Sequence, residues 1–137
     1  MAAIHSRGTS PELFIRRLLF KRGFRYRVTP RKPCGHPDLY LARYRAVIFI
    51  HGCFWHRHAG CKLASTPSTR REFWNAKFAR NVARDALVKE TLLKEGYRYL
   101  VIWECTIRRM RKDGAFCAEV VDKIAAFIQG DTPELEL

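Results

Sequence analysis

The residues His51-Gly52-Cys53-Phe54-Trp55-His56-Arg57-His58-Ala59-Gly60-Cys61 follow directly on the apolar run Ala46-Val47-Ile48-Phe49-Ile50, and they constrain this chain more than any other stretch. An apolar run without alternation reads as a strand covered on both faces, so it belongs at the centre of a sheet. Two thiols, three imidazoles and two large aromatics then crowd into one turn-rich segment at the end of that strand. Core packing alone does not need such a concentration, and chemistry is expected there.

Local signals place the remaining elements around it. Thr9-Ser10-Pro11-Glu12 predicts a helix start, with Ser10 capping and Pro11 first in the helix, or with Thr9 capping and Glu12 reaching back in a capping box. The helix runs to about Arg22 and stops at Gly23, with Leu13, Phe14, Leu18 and Leu19 on one face and Arg16, Arg17, Lys21 and Arg22 on the other. Phe24 to Val28 alternates and reads as a half-wet strand, followed by a loop rich in Pro and Gly from Thr29 to Pro37. A strand from about Asp38 to Ala42, a turn near Arg43 and Tyr44 and the strand Arg45 to Ile50 make a hairpin.

Thr69-Arg70-Arg71-Glu72 fits a second capping box, opening a long helix to about Glu95 that Gly96 closes. Tyr97 to Trp103 is β-branched and aromatic and gives another inner strand. Asp113-Gly114 precedes an amphipathic helix carrying Phe116, Val120, Val121, Ile124, Phe127 and Ile128, and the acidic residues 131–137 beyond Gly130 are expected to be disordered. The order is helix, three strands, helix, strand, helix. At 137 residues it fits a single domain, residues 1–137.

Cys53, His58 and Cys61 supply three ligands within one loop, and Cys105, just past the last strand, is the expected fourth. A Cys3His set suits tetrahedral Zn2+, and four protein ligands make such a site structural. The plainer reading, that Cys53 and Cys105 are buried apolar cysteines, leaves Cys61 and His58 unexplained. Cys34 and Cys117 have no partner in this scheme, and Cys117 reads as core.

His51 and His56 are then free for acid–base work toward water. Asp38 heads a strand beside the one ending at Ile50, where a carboxylate, a main-chain carbonyl and waters suit Mg2+. Taken singly, Asp38 reads as a turn carboxylate, Asp85 as half of a solvated ion pair and Glu12 as a capping residue. Phe54 and Trp55 can hardly both point inward, so at least one is expected to face a ligand.

The 26 Lys and Arg against 13 Asp and Glu leave a net charge of +13, which calls for a polyanion, and nucleic acid is the expected partner. No segment reads as a basic amphipathic anchor. Arg16 and Arg17 interrupt the only apolar stretch near the N-terminus, and no run approaches the ~20 residues of a membrane span. Five cysteines, an odd number, point to a reducing compartment and metal binding, hence a cytoplasmic protein.

Val47 to Trp55, Pro37-Asp38, Glu72-Phe73-Trp74, Asn81-Val82-Ala83-Arg84-Asp85 and Trp103-Glu104-Cys105 closely resemble the very short patch repair (Vsr) DNA mismatch endonucleases, from about Gly8 to Cys105. The resemblance implies an α/β fold, a variant of the restriction-endonuclease (PD-(D/E)xK) core with a mixed central sheet of about four strands flanked by helices. It implies an enzyme acting on double-stranded DNA, nicking on the 5′ side of the T in a T:G mismatch left by deamination of 5-methylcytosine. Asp38 and the main-chain carbonyl of Ile50 would bind Mg2+, His56 would activate water, and Asp85 would orient His56. His51 would sit near the scissile phosphate and Glu12 would hold metal-bound water. Cys53, His58, Cys61 and Cys105 match zinc ligands. Phe54 and Trp55 match aromatics that intercalate beside the mismatch, and Met1 a wedge from the opposite groove.

The resemblance also has departures. His36 stands where Arg or Lys is usual, residues 1–8 make a short arm where relatives carry a longer basic one, and the Cys53–Cys61 loop has one residue more than in some relatives. Competing readings are a zinc-stabilised DNA-binding module without catalysis, and a nuclease of the same fold with another target. A monomer is the default, and repair proteins are conceivable partners.

Overall fold

The computed structural model of the protein describes residues 9–28, 30, 31 and 33–137. Helix α1 (Ser10–Lys21) is followed by strands β1 (Arg27–Val28), β2 (Leu39–Leu41) and β3 (Ala46–His51), the last two joined by a 3-10 turn at Ala42–Tyr44. Helix α2 (Arg71–Lys94), strand β4 (Arg98–Trp103), helices α3 (Glu104–Lys112) and α4 (Gly114–Gln129) and strand β5 (Glu134–Glu136) complete the chain.

The five strands lie in sequence order, with β1, β2 and β3 antiparallel and β3, β4 and β5 parallel. The apolar run therefore occupies the middle of the sheet, as its composition predicts. Side chains alternate across β3 and β4. Ala46, Ile48, Leu100 and Ile102 pack with Ile15 and Leu19 of α1, Ile107 and Met110 of α3 and Ile124 and Ile128 of α4. Val47, Phe49, Tyr99, Val101 and Trp103 face Leu92 of α2 on the other side. Helices thus cover both faces, and the alternation carries His51 to the α2 face. Parallel register pairs His51 with Trp103, so Cys53 and Cys105, each two residues further on, emerge side by side.

Several expected boundaries move. The strand expected from Phe24 shrinks to Arg27–Val28, because Phe24 N–H closes on Leu19 O at 3.0 Å and its ring packs on Tyr44. Thr9 and Arg70 are the N-caps, and the side chain of neither makes a cap bond. Glu12 is buried, and α2 starts after a left-handed Arg70. Asp113 does cap α4, accepting from Phe116 N–H. Helix α3 was not expected; it is a short amphipathic helix of 9 residues held by Ile107 and Met110 under an otherwise polar surface.

The expectation of a disordered acidic tail is also corrected, since residues 134–136 form β5, which makes five strands in place of about four. The edge of β4 explains this. Tyr99 N–H donates to Pro133 O, Leu137 N–H to Val101 O and Trp103 N–H to Leu137 O at 2.8–2.9 Å, while the Trp103 indole donates to Glu136. Deleting residues 131–137 should cost about 3 kcal/mol from these bonds, read as a fall in Tm of roughly 10 °C. An unchanged melt would make β5 dispensable.

Candidate active site and metal-binding loop

A cleft of about 800 Å3 opens beyond the C-terminal end of β3, between the start of α1 and the middle of α2, with the start of α3 on its rim. Ligands of α/β sheets collect at such strand ends, where the connections diverge.

On the α1 side lie two carboxylates. Asp38 N–H donates to Ile48 O at 3.0 Å, and Asp38 Oδ2 accepts from Ile50 N–H at 2.7 Å, so the side chain continues the ladder of the hairpin. Glu12 is buried nearby, paired with Arg16 at 3.2 Å. Burial pushes the Asp38 carboxyl up to about 7; the Ile50 N–H opposes this and the Glu12 charge adds to it. Two desolvated carboxylates beside the Ile50 strand end form an oxygen donor set that fits a hard divalent cation. Asp38 is thus no solvated turn residue.

On the α2 side, His51 and His56 stack with ring centroids 3.9 Å apart and planes 3° from parallel. His56 Nδ1 lies 2.6 Å from Asp85 Oδ2. Asp85 therefore has an imidazole as partner, not the solvated ion pair that its neighbours in sequence suggest. With Nδ1 engaged, Nε2 is the nitrogen left to meet a water. Burial, then the adjacent His56, push His51 down to about 4, which keeps it neutral at physiological pH. Ligand atoms of these three residues lie within 4.8 Å of one another. Lone pairs in parallel ring planes do not converge on one ion, however, so the arrangement suits proton handling better than coordination.

Beyond His56 the loop folds back on itself. His56 N–H donates to Gly52 O and His58 N–H to Cys53 O, both at 3.1 Å. Ligand atoms of Cys53, His58, Cys61 and Cys105 all fall within 4.8 Å of one another. His58 Nδ1 stands 3.6 Å from Cys53 Sγ and 3.4 Å from Cys105 Sγ. Bonds of about 2.3 Å to sulfur and about 2.1 Å to nitrogen at a tetrahedral angle give about 3.6 Å, so the set fits a tetrahedral metal ion. Trp103 stacks on the His58 ring at 4.2 Å, and Glu104 Oε1 accepts from Cys53 N–H at 3.3 Å. Burial pushes the Cys53 thiol up to about 12, whereas the main-chain N–H groups of Leu63 and Ala64 hold Cys61 below its ordinary range. A bound cation would reverse the penalty at Cys53.

Both residues of the aromatic pair line the cleft. Phe54 and Trp55 are both half-buried, edge to face at 5.0 Å, and both touch Trp74 of α2. Phe54 also meets Phe78 at 5.1 Å. Trp74 belongs to this aromatic wall and escaped the reading from residues alone, although Phe73, Trp74 and Phe78 on one helix were a signal. Tyr99, Arg84 and Arg108 also line the cleft without having been singled out. Met1 and the arm at residues 1–8 lie outside the described residues. Among those described, no helix is long and apolar enough to cross a membrane.

The sequence model of the family "DNA mismatch endonuclease Vsr" matches residues 1–63. The DNA mismatch endonuclease Vsr of Escherichia coli (strain K12) is 43% identical over 112 residues, 82% of this chain and 71% of that protein. The type II nicking enzyme V.NmeAIP of Neisseria meningitidis serogroup A is 38% identical over 129 residues, 94% and 89% of the two chains. The type II nicking enzyme V.XorIIP of Xanthomonas oryzae pv. oryzae is 38% identical over 107 residues, 78% of each.

Proposed function

Because this chain belongs to the Vsr family of DNA mismatch endonucleases, we propose that it hydrolyses one strand of duplex DNA at a T:G mismatch, on the 5′ side of the T, with Mg2+ as cofactor. The observation that carries this reading is the convergence of two unlike groups in one cleft, the Asp38–Glu12 carboxylates on one wall and the His56–Asp85 pair on the other. A module that only binds DNA needs neither. The net charge of +13 supports a polyanionic substrate.

Asp38, the Ile50 carbonyl and, through water, Glu12 would hold Mg2+, which when bound supplies Lewis-acid stabilisation of the phosphate and leaving oxygen. His56 Nε2 accepts the proton of the attacking water while Asp85 fixes its tautomer and steadies the imidazolium that forms. His51, held neutral, offers an N–H toward the scissile phosphate. Cys53, His58, Cys61 and Cys105 would hold structural Zn2+, fixing the loop that presents His56. Phe54 and Trp55 form the wedge that enters the stack beside the mismatch, where an imperfect T:G pair lowers the cost of opening.

The test is Mg2+-dependent nicking of an end-labelled duplex with one T:G pair, beside its T:A control. One cut 5′ to the mismatched T, absent from the control, is the expected result. Equal cutting of both would favour the second reading, a nicking enzyme of the same family with another target, for which the type II nicking relatives are the motive. No cutting of either would overturn both. Asp85→Asn should slow nicking roughly 100-fold with DNA affinity unchanged; an unaltered rate would remove Asp85 from the mechanism.

A further inference from the structure

Arg57 stands between the proposed base His56 and the proposed metal ligand His58 and has neither role. Its backbone is left-handed, at φ +54°, a conformation that glycine or asparagine adopts more cheaply. An arginine there is explained by its side chain. Nη1 donates to Phe54 O at 3.2 Å and Ser65 O at 2.9 Å, and Nη2 donates to Ala64 O at 2.9 Å and Thr66 Oγ1 at 3.0 Å. The guanidinium also lies over the Phe78 ring, 3.9 Å from its centroid. Four of its five N–H groups are thus committed inside the protein, in a planar fork that lysine cannot reproduce. Phe78 in turn supports the Phe54 ring edge to face. The neighbouring Trp55 is held comparably, its carbonyl accepting from Asn81 Nδ2 at 3.3 Å.

We propose that Arg57 is a positioning residue for the aromatic wedge, clamping the Phe54 carbonyl and the returning segment at residues 64–66 against Phe78 so that Phe54 and Trp55 meet the base stack in one fixed orientation. The proposal rests on the wedge reading given above. A flexible wedge must be ordered each time it enters a closed stack, so the clamp matters most where the stack resists and least where it is already open.

The experiment compares single-turnover nicking by wild type, Arg57→Ala and Phe54→Ala on an intact T:G duplex and on T:G duplexes with an abasic residue at the adjacent base step on either side. Arg57→Ala should slow cutting of the intact duplex roughly 10- to 100-fold and of an opened one less than about 3-fold, and Phe54→Ala should shift the same ratio. The slope of log K against log salt should not change, because a sequestered guanidinium releases no counterions. A fall of about 0.9 would make Arg57 a phosphate contact and overturn the proposal. Equal slowing on all duplexes, or no slowing, overturns it too. If Phe54→Ala leaves the ratio unmoved, the wedge reading falls and this proposal with it; if only Arg57→Ala fails to move it, the proposal alone falls. Metal content and melting temperature check the fold. Should Arg57→Ala lose its metal, Arg57→Lys, which keeps the charge over Phe78 but not the fork, decides by the same ratio.

Discussion

Asp38→Asn should abolish nicking, by roughly 1,000-fold or more, while DNA binding and fold survive. The amide keeps an oxygen for the Ile50 N–H, which Asp38 now satisfies at 2.7 Å, so the hairpin loses little. What disappears is one of two buried negative charges that make the site attractive to a cation. Single-turnover nicking across a Mg2+ series, with DNA affinity measured alongside, checks this. Residual cutting within tenfold of wild type would make Asp38 structural.

The same variant reports on pH. Asp38 is pushed up to about 7 in the folded protein from 3.8, so the metal-free fold binds that proton more tightly than the unfolded chain. Its contribution is therefore fully present at low pH and lost as pH rises from about 4 through 7. His51, pushed down from 6.5 to about 4, contributes the opposite way over that range, but it is common to both proteins. Without Mg2+, Asp38→Asn should melt above wild type at pH 8, and the gap should close toward pH 4. A gap that does not vary with pH would contradict the buried, uncompensated state of Asp38.

Removing the loop metal should have the other large effect. Zn2+ at one per chain is expected, and stripping it, or Cys105→Ser, should lower Tm by roughly 15 °C or more and end nicking even with Mg2+ in excess. With a metal bound, the four proposed ligands would tie the loop after β3 to the first turn of α3, adding to the Cys53 N–H to Glu104 bond and the stacking of His58 on Trp103. His58 and Cys53 flank His56 and Phe54, so losing the ion displaces the proposed base and wedge together. A protein that contains no zinc, or that keeps its melt in strong chelator, would leave the loop held by packing alone.

Much of the architecture was legible because its signals are local. β3 is apolar from Ala46 to Ile50 and β4 from Tyr99 to Trp103, and Gly23 and Gly96 end α1 and α2 within a residue or two of the expected positions, both at positive φ. The Cys3His set could be read because three of its members sit within nine consecutive residues, 53 to 61, and the fourth follows the apolar inner strand β4. The capping boxes misled in their N-cap half, since neither Thr9 nor the actual N-cap Arg70 bonds the first turn through its side chain. Helix α3 and strand β5 were too short to announce themselves, and both depend on partners already in place: the core under Ile107 and Met110, and the open edge of β4.

The sequence by itself determined the order of the main elements, the basic surface and the residue types gathered behind β3. Only the tertiary structure decided which of them meet. Parallel register brings Cys105 to Cys53, the α2 crossover brings Asp85 to His56, packing of α1 brings Glu12 to Asp38, and the return of the loop brings residues 64–66 onto Arg57. Periodicity and turn chemistry act over a few neighbours along the chain. These meetings join residues up to about fifty positions apart, and the energy that selects them comes from burying both faces of one sheet.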